Sequence, residues 1–166
     1  MNILITGTTG YIAKRLIPKL LEDNHTLFCC VRDLSRIPEN LKDKKQITFL
    51  KVDFLEIENF KLPKNIDVAY YLIHSMSSSS KHFVELEKSC ALNFKSLLEP
   101  TDCKQVIYLS GIVNDNSLSK HLQSRLQVEH ILQSDVYALT TFRLVLLLEV
   151  EVPLSKLLEI SLKNCR

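Results

Sequence analysis

Asn2-Ile3-Leu4-Ile5-Thr6-Gly7-Thr8-Thr9-Gly10-Tyr11-Ile12-Ala13 is the stretch on which the fold turns. Ile3, Leu4 and Ile5 are contiguous and apolar, the pattern of a parallel strand buried on both faces. The run breaks at once into glycine, and Ile12, Leu16, Leu20 and Leu21 then recur at helical spacing. Strand, glycine turn and helix in that order open a nucleotide-binding βαβ unit. At Gly7 the chain reverses where a side chain would clash, and Gly10 lets backbone N–H groups close on a pyrophosphate at the positive end of the helix. Ala13 stands where the third glycine of the fingerprint usually falls, and it is small enough for close helix-to-strand packing. The competing reading is a glycine turn that binds nothing. Context weighs against it, because two of the 3 glycines in the chain fall here and a second strand follows.

Working outward, 166 residues with 46% apolar and 24% charged side chains suit one globular domain able to bury a real core. A formal charge of +2 gives no polybasic field, so neither nucleic acid nor an anionic membrane is expected as a partner. The Lys42 to Lys45 cluster reads as a solvated helix end. The 5 cysteines, Cys29, Cys30, Cys90, Cys103 and Cys165, are odd in number and lack zinc or redox spacing, so no metal site is expected. They read as core thiols in a reducing cytosol, which makes the protein cytoplasmic. Met1 abuts the first strand, leaving no room for a signal peptide, and Leu144 to Leu148 is too short an apolar run to span a bilayer.

Along the chain, Asn24-His25 make a turn and Thr26 to Val31 the second strand, ending in Arg32-Asp33. At that strand end a carboxylate hydrogen-bonds the adenosine 2′-hydroxyl, whereas a cation accepts a 2′-phosphate. Arg32, with Ser35 and Arg36 beside it, therefore favours NADP(H) over NAD(H); the bland alternative is a solvated arginine near a helix start. Asp33 reads as a helix N-cap. Pro38 and Asn40 fall in a loose helical stretch, and Ile47 to Val52 give a third strand. Asp53 follows it, placed either to reach the adenine edge or to cap the turn beginning at Leu55. Asp67 to Ile73 form the fourth strand, ending in His74, which is either a cofactor or substrate contact or a polar strand cap. Ser77 to Ser80 is a short low-complexity loop.

From Lys81 to Leu98, Phe83, Leu86, Cys90, Phe94 and Leu97 make an apolar stripe, with Glu85, Glu87, Lys88 and Lys95 placed elsewhere on the helix. Pro100 stops it. Gln105 to Leu109 is the fifth strand, followed by Ser110-Gly111. A helix from about Leu118 to Gln133 carries Leu118, Leu122, Leu126 and Leu132 inward, and Tyr137 to Phe142 begin a sixth strand. The expected fold class is α/β, a Rossmann-type doubly wound parallel sheet in a single, incomplete domain over residues 1–148.

Together, Thr6-Gly7-Thr8-Thr9-Gly10-Tyr11-Ile12, Val31-Arg32-Asp33, Ala69-Tyr70-Tyr71-Leu72-Ile73-His74-Ser75-Met76, Val106-Ile107-Tyr108-Leu109-Ser110-Gly111 and Thr141-Phe142-Arg143 resemble the atypical short-chain dehydrogenase/reductase superfamily, and within it the NmrA-like NAD(P)H-binding proteins. The resemblance covers about residues 2–143. It implies that Gly7, Thr8, Thr9, Gly10, Tyr11 and Ile12 hold the pyrophosphate, Arg32 and Arg36 the 2′-phosphate, Asp53 and Phe54 the adenine, and Leu72, Ile73 and His74 the nicotinamide side. Ordinary members reduce carbonyls with a serine after the fifth strand and a Tyr-x-x-x-Lys pair on the next helix, the tyrosine donating a proton. Ser110 stands at the serine position. The helix instead reads His121-Leu122-Gln123-Ser124-Arg125, so His121 and Arg125 keep the spacing without the chemistry. They form either an altered catalytic dyad with Ser110 or a surface i, i+4 pair.

The resemblance ends after Arg143. Proteins of this type continue in a Gly/Ser-rich pattern, whereas this chain reads Leu144-Val145-Leu146-Leu147-Leu148-Glu149-Val150. Suitable codons for the family-like segment become this string when one base is lost, so residues 149–166 are expected to be an aberrant, frame-shifted tail, with the C-terminal substrate-binding portion missing. Three functions follow: an NADP(H)-binding domain of reductase descent with an unknown small-molecule substrate, an NADP(H)-sensing regulator without turnover, and a non-functional truncated product.

Overall fold

The apolar runs become six strands: β1 (Asn2–Ile5), β2 (Thr26–Val31), β3 (Ile47–Lys51), β4 (Val68–Tyr71), β5 (Gln105–Gly111) and β6 (Ala138–Leu144). Helices α1 (Tyr11–Glu22), α2 (Glu39–Lys42), α3 (Phe83–Leu98) and α4 (Lys120–Leu132) connect them, with a 3-10 turn at Leu34–Arg36. The computed structural model describes residues 1–74, 82–111 and 120–144. The expected tail, Leu118 and Cys165 lie outside the described residues, as does the Ser77 to Ser80 loop.

All six strands are parallel in one sheet of order β3-β2-β1-β4-β5-β6. The order reverses direction between β1 and β4, so the first strand lies at the centre and a crevice opens at the carboxyl ends of those two strands. The α/β Rossmann-type fold expected from the sequence is thus the fold observed.

Strand alternation splits the core between the two faces. Ile3, Ile5, Leu27, Cys29, Val68, Tyr70, Ile107 and Leu109 pack with Ala13, Leu16, Ile17 and Leu20 of α1. Leu4, Cys30, Ala69, Tyr71, Val106 and Tyr108 face Cys90, Ala91, Phe94 and Leu98 of α3 and Val128 and Leu132 of α4. The four cysteines among the described residues are buried, free thiols, as expected. Burial lifts the thiol of Cys29 to about 12 and that of Cys103 to about 11, so neither ionises at neutral pH.

Several expectations about helix faces are corrected. On α4 the buried positions are Ser124, Val128 and Leu132, while Leu122 and Leu126 are half-buried. A small residue therefore occupies the inner line where leucine was expected, because α4 packs on α3 as well as on the sheet. On α3, Glu87 is not on the outer face: it is 7% exposed and lies beside Cys90 and Ala91, where a hydroxyl from α4 meets it. Ile12 and Leu21 of α1 are half-buried, their inner places taken by Ala13 and Ile17. β4 stops at Tyr71, two residues early, because the Leu72 N–H turns to the Thr6 hydroxyl. β5 runs on to Gly111 because β6 pairs with it along the full register from Gln105↔Ala138 to Gly111↔Leu144.

Candidate dinucleotide-binding site

Three groups of residues follow one another along the carboxyl edge of the sheet, and the glycine turn is the middle one. Gly7 has φ +61°, a left-handed conformation costly for any residue with a Cβ. A Cβ built there would stand 2.6 Å from the Leu72 carbonyl oxygen. Thr6 makes this approach possible. Its N–H and Oγ1 both donate to the Tyr70 carbonyl, at 3.0 and 3.1 Å, and its Oγ1 accepts from the Leu72 N–H at 2.8 Å. A side chain thus replaces the strand ladder where β1 and β4 begin to part. Thr8 is 1% exposed and donates to the Ile5 carbonyl, so its side chain braces the turn from inside.

The turn closes with Gly10 N–H donating to Gly7 O at 2.8 Å, and α1 starts with Lys14 N–H donating to Gly10 O at 3.1 Å. The amides of Tyr11, Ile12 and Ala13 consequently have no partner within the helix. No side chain caps this end, and its first turn holds no acidic residue. Lys14 and Arg15 are instead close to the positive pole of the helix, where cations are unfavourable, and the Arg15 guanidinium sits 3.6 Å over the Tyr11 ring. Bare amides and uncompensated cations around a cradle that only glycine fits suit a diphosphate.

The second group lies at the ends of β2 and β3. Arg32 and Arg36 are exposed. Asp33 caps the 3-10 turn as expected: its Oδ1 accepts from Ser35 N–H at 2.9 Å and from Ser35 Oγ–H at 2.8 Å. These bonds, with Arg36 and Lys51 nearby, hold its carboxyl below the usual range. Asp53 also makes a cap, accepting from Leu55 N–H at 3.0 Å. Phe54 is 4% exposed, with its ring 5.8 Å from that of Phe94, so the side chain belongs to the core. Asn93 of α3, which the sequence did not single out, donates from Nδ2 to the Phe54 carbonyl at 2.7 Å and ties this loop down. An asparagine on the inner side of a helix was the signal available.

The third group lies at the ends of β4 and β5. Leu72 is buried in the core on the α1 side of the sheet, and Ile73 is half-buried against the core on the other side. His74 is half-buried, its ring centroid 6.2 Å from that of Tyr108. Burial and the Arg125 charge lower its pKa to about 4, against Glu87 and a hydrogen bond to the Leu109 backbone, so the imidazole is neutral at physiological pH. Ser110 is 3% exposed, and its Oγ has no hydrogen-bond partner among the described residues. It lies close enough to the Tyr108 hydroxyl to favour that phenol's ionised form, although burial holds the phenol well above its usual pKa. Tyr108 donates its hydroxyl to the Arg125 carbonyl at 3.2 Å, and Ser124 donates to Glu87 Oε2. The first of these contacts ties α4 to β5 and the second ties it to α3. Arg125 is half-buried within electrostatic reach of His74 and Tyr108, whereas the side chain of His121 lies outside the described residues. Sequence reading missed Thr6, Tyr108, Glu87 and Asn93, all of which work through buried polar contacts that periodicity does not show.

A model of the NAD dependent epimerase/dehydratase family matches residues 3–122. The chain belongs to that family. The match takes in the glycine turn, both arginines after β2, and His74, Ser110 and His121, but stops before Arg125. Among solved structures, the chain is similar to Gre2 of Candida albicans in complex with NADPH, with TM-score 0.72 and 16% identity over 86% of this chain and 57% of that one. It is similar also to the UDP-glucuronic acid 4-epimerase of Bacillus cereus in complex with NAD, with TM-score 0.68 and 19% identity over 86% and 55%. Yeast methylglyoxal/isovaleraldehyde reductase Gre2 complexed with NADPH gives TM-score 0.69 and 13% identity over 86% and 57%. At such identities the likeness is one of fold. The chain spans little more than half the length of these structures. A comparison with curated proteins finds no match. No helix among the described residues is long and apolar enough to cross a membrane.

Proposed function

We propose that this family member binds NADP(H), with the adenosine end over β2 and β3, the diphosphate on the first turn of α1, and the nicotinamide toward β4 and β5. Within the wider short-chain dehydrogenase/reductase superfamily we take it to be NmrA-like, on the stretches Thr6 to Ile12, Val31 to Asp33, Ala69 to Met76, Val106 to Gly111 and Thr141 to Arg143. The observation that carries the choice of cofactor is the division of labour after β2. Asp33 accepts from Ser35 through Oδ1 and has Arg36 and Lys51 nearby, while Arg32 and Arg36 make no ion pair among the described residues. Cations that form no ion pair among the described residues suit a 2′-phosphate. The buried free thiols fit a reducing compartment such as the cytoplasm.

When bound, the cofactor would supply hydride chemistry. The residues of this chain would position it: Ser110 presents a hydroxyl, Arg125 a fixed charge and His74 a neutral imidazole. Position 121 carries no phenol, which favours a second reading, an NADP(H)-sensing regulator that binds without turnover. Calorimetric titration with NADPH and NADH tests the first statement, with NADPH expected to bind more tightly; equal affinity would overturn the preference, and binding of neither the cofactor role. NADPH oxidation over a panel of aldehydes and ketones separates reductase from sensor, since a sensor leaves NADPH unconsumed at every substrate tried.

A further inference from the structure

The parallel register of β2 and β3 pairs Val31 with Lys51. That register sets Lys51, an exposed residue, beside the strand end from which Arg32 emerges. Along β3, Ile47 and Phe49 pack toward α1 and Leu50 and Val52 toward α3, so Lys51 takes the α1 side of the rim. Arg32 just past β2, Arg36 in the 3-10 turn that follows and Lys51 at the end of β3 thus share one rim, with Arg36 and Lys51 both within electrostatic reach of Asp33. Among the described residues, none of the three side chains makes an ion pair or a hydrogen bond. Asp33, within electrostatic reach of Arg36 and Lys51, accepts from Ser35 through Oδ1.

Apolar surface accompanies the charge. Leu34, between the two arginines in sequence, is 47% exposed, and Leu55, just past β3, is 38% exposed. Inorganic phosphate or a flexible polyanion would use the cations and ignore the leucines. A purine nucleoside carrying a phosphate on its ribose uses both, an aromatic face over aliphatic side chains and a dianion over the cations.

We propose that Lys51 is a specificity-determining residue for the cofactor, forming with Arg32 and Arg36 a three-cation cradle for the adenosine 2′-phosphate. This rests on the NADP(H) reading above and adds to it a residue from a different strand. Two guanidiniums bind a phosphate in fixed, forked geometry, whereas the flexible ammonium of Lys51 follows the phosphate as a point charge. Its contribution should therefore weaken as salt rises.

The test is calorimetric titration of wild type, Lys51→Gln and, as a control on α3, Lys88→Gln, each with NADPH, NADH, 2′-AMP and 5′-AMP, at low and at high salt. In Lys51→Gln, NADPH and 2′-AMP affinity should fall about five- to tenfold at low salt, a loss equivalent to one charge-assisted contact. NADH and 5′-AMP should be unchanged, and Lys88→Gln should behave as wild type. If wild type prefers NADPH and Lys51→Gln keeps that preference in full, the role of Lys51 is refuted while the cofactor reading stands. Equal loss for NADPH and NADH also refutes it, because the lysine would then serve the shared part of the cofactor. If wild type shows no preference between NADPH and NADH, the reading beneath the proposal fails and the proposal with it.

Discussion

The Leu72 carbonyl oxygen and the Cα of Gly7 approach so closely that a methyl group on Gly7 would lie 2.6 Å from that oxygen. Backbone meets backbone here, so no rotamer change relieves the contact, and the φ of +61° adds its own penalty. Gly7→Ala is expected to cost at least about 2 kcal/mol, read from the midpoint of urea unfolding. It should also abolish NADPH binding by spreading β1 from β4. A variant with wild-type midpoint and affinity would show that the turn relaxes freely.

Thr6 supplies the hydroxyl that substitutes for a strand partner. Thr6→Val keeps the volume but strands the Leu72 N–H and one lone pair of the Tyr70 carbonyl in a buried setting. The expected loss is about 1–3 kcal/mol. Thr6→Ser, which retains the oxygen, should recover most of it, and equal loss in both variants would point to the methyl group instead.

Ser124 and Glu87 form a polar contact between α4 and α3. Ser124→Ala removes a donor from a carboxylate that is 7% exposed, and should destabilise by roughly 1–3 kcal/mol, lowering Tm by several degrees. Because α4 also carries Arg125, NADPH affinity should weaken as well. An unchanged Tm would mean that Glu87 finds a replacement partner.

The pKa of His74 is lowered from 6.5 to about 4, so the folded state takes up its proton later than the unfolded chain does. The stability this residue contributes is fully present above pH 6.5 and is lost as pH falls toward 4, amounting to about 3 kcal/mol at most. His25 is shifted in the same direction by burial and the N-terminal charge, so both add to the slope. Unfolding midpoints measured between these limits should fall as acid is added, and His74→Gln should flatten the curve. An identical slope in the variant would assign the effect to His25 and the carboxylates.

The fold was legible because its signals are local. The run Ile3 to Ile5, the glycines after it and the continuous run Val68 to Tyr71 each report directly on burial of a strand or reversal of the chain. The positions of Arg32 and Arg36 just past β2 were legible for the same reason, being set by distance from a strand end. Lys51 was not, since its relevance comes from register with Val31, a long-range pairing. Glu87 was misplaced because charge is a good guide to exposure only where no partner waits inside, and Ser124 becomes that partner only once α3 and α4 are side by side. The leucine stripe assigned to α4 failed on related grounds: a helix between a sheet and a second helix shares its apolar surface between two neighbours, and a single periodic line does not describe it.

The position of β1 has a consequence for synthesis. This strand is flanked by β2 on one side and by β4 on the other, and its pairing with β4 joins Ile3 to Val68. The centre of the sheet thus appears on the ribosome first but is completed only when Tyr71 has emerged. In the interval Ile3, Leu4 and Ile5 hold one sticky, half-templated edge in the open, an arrangement that favours early capture by a holdase and slow, late closure of the whole sheet.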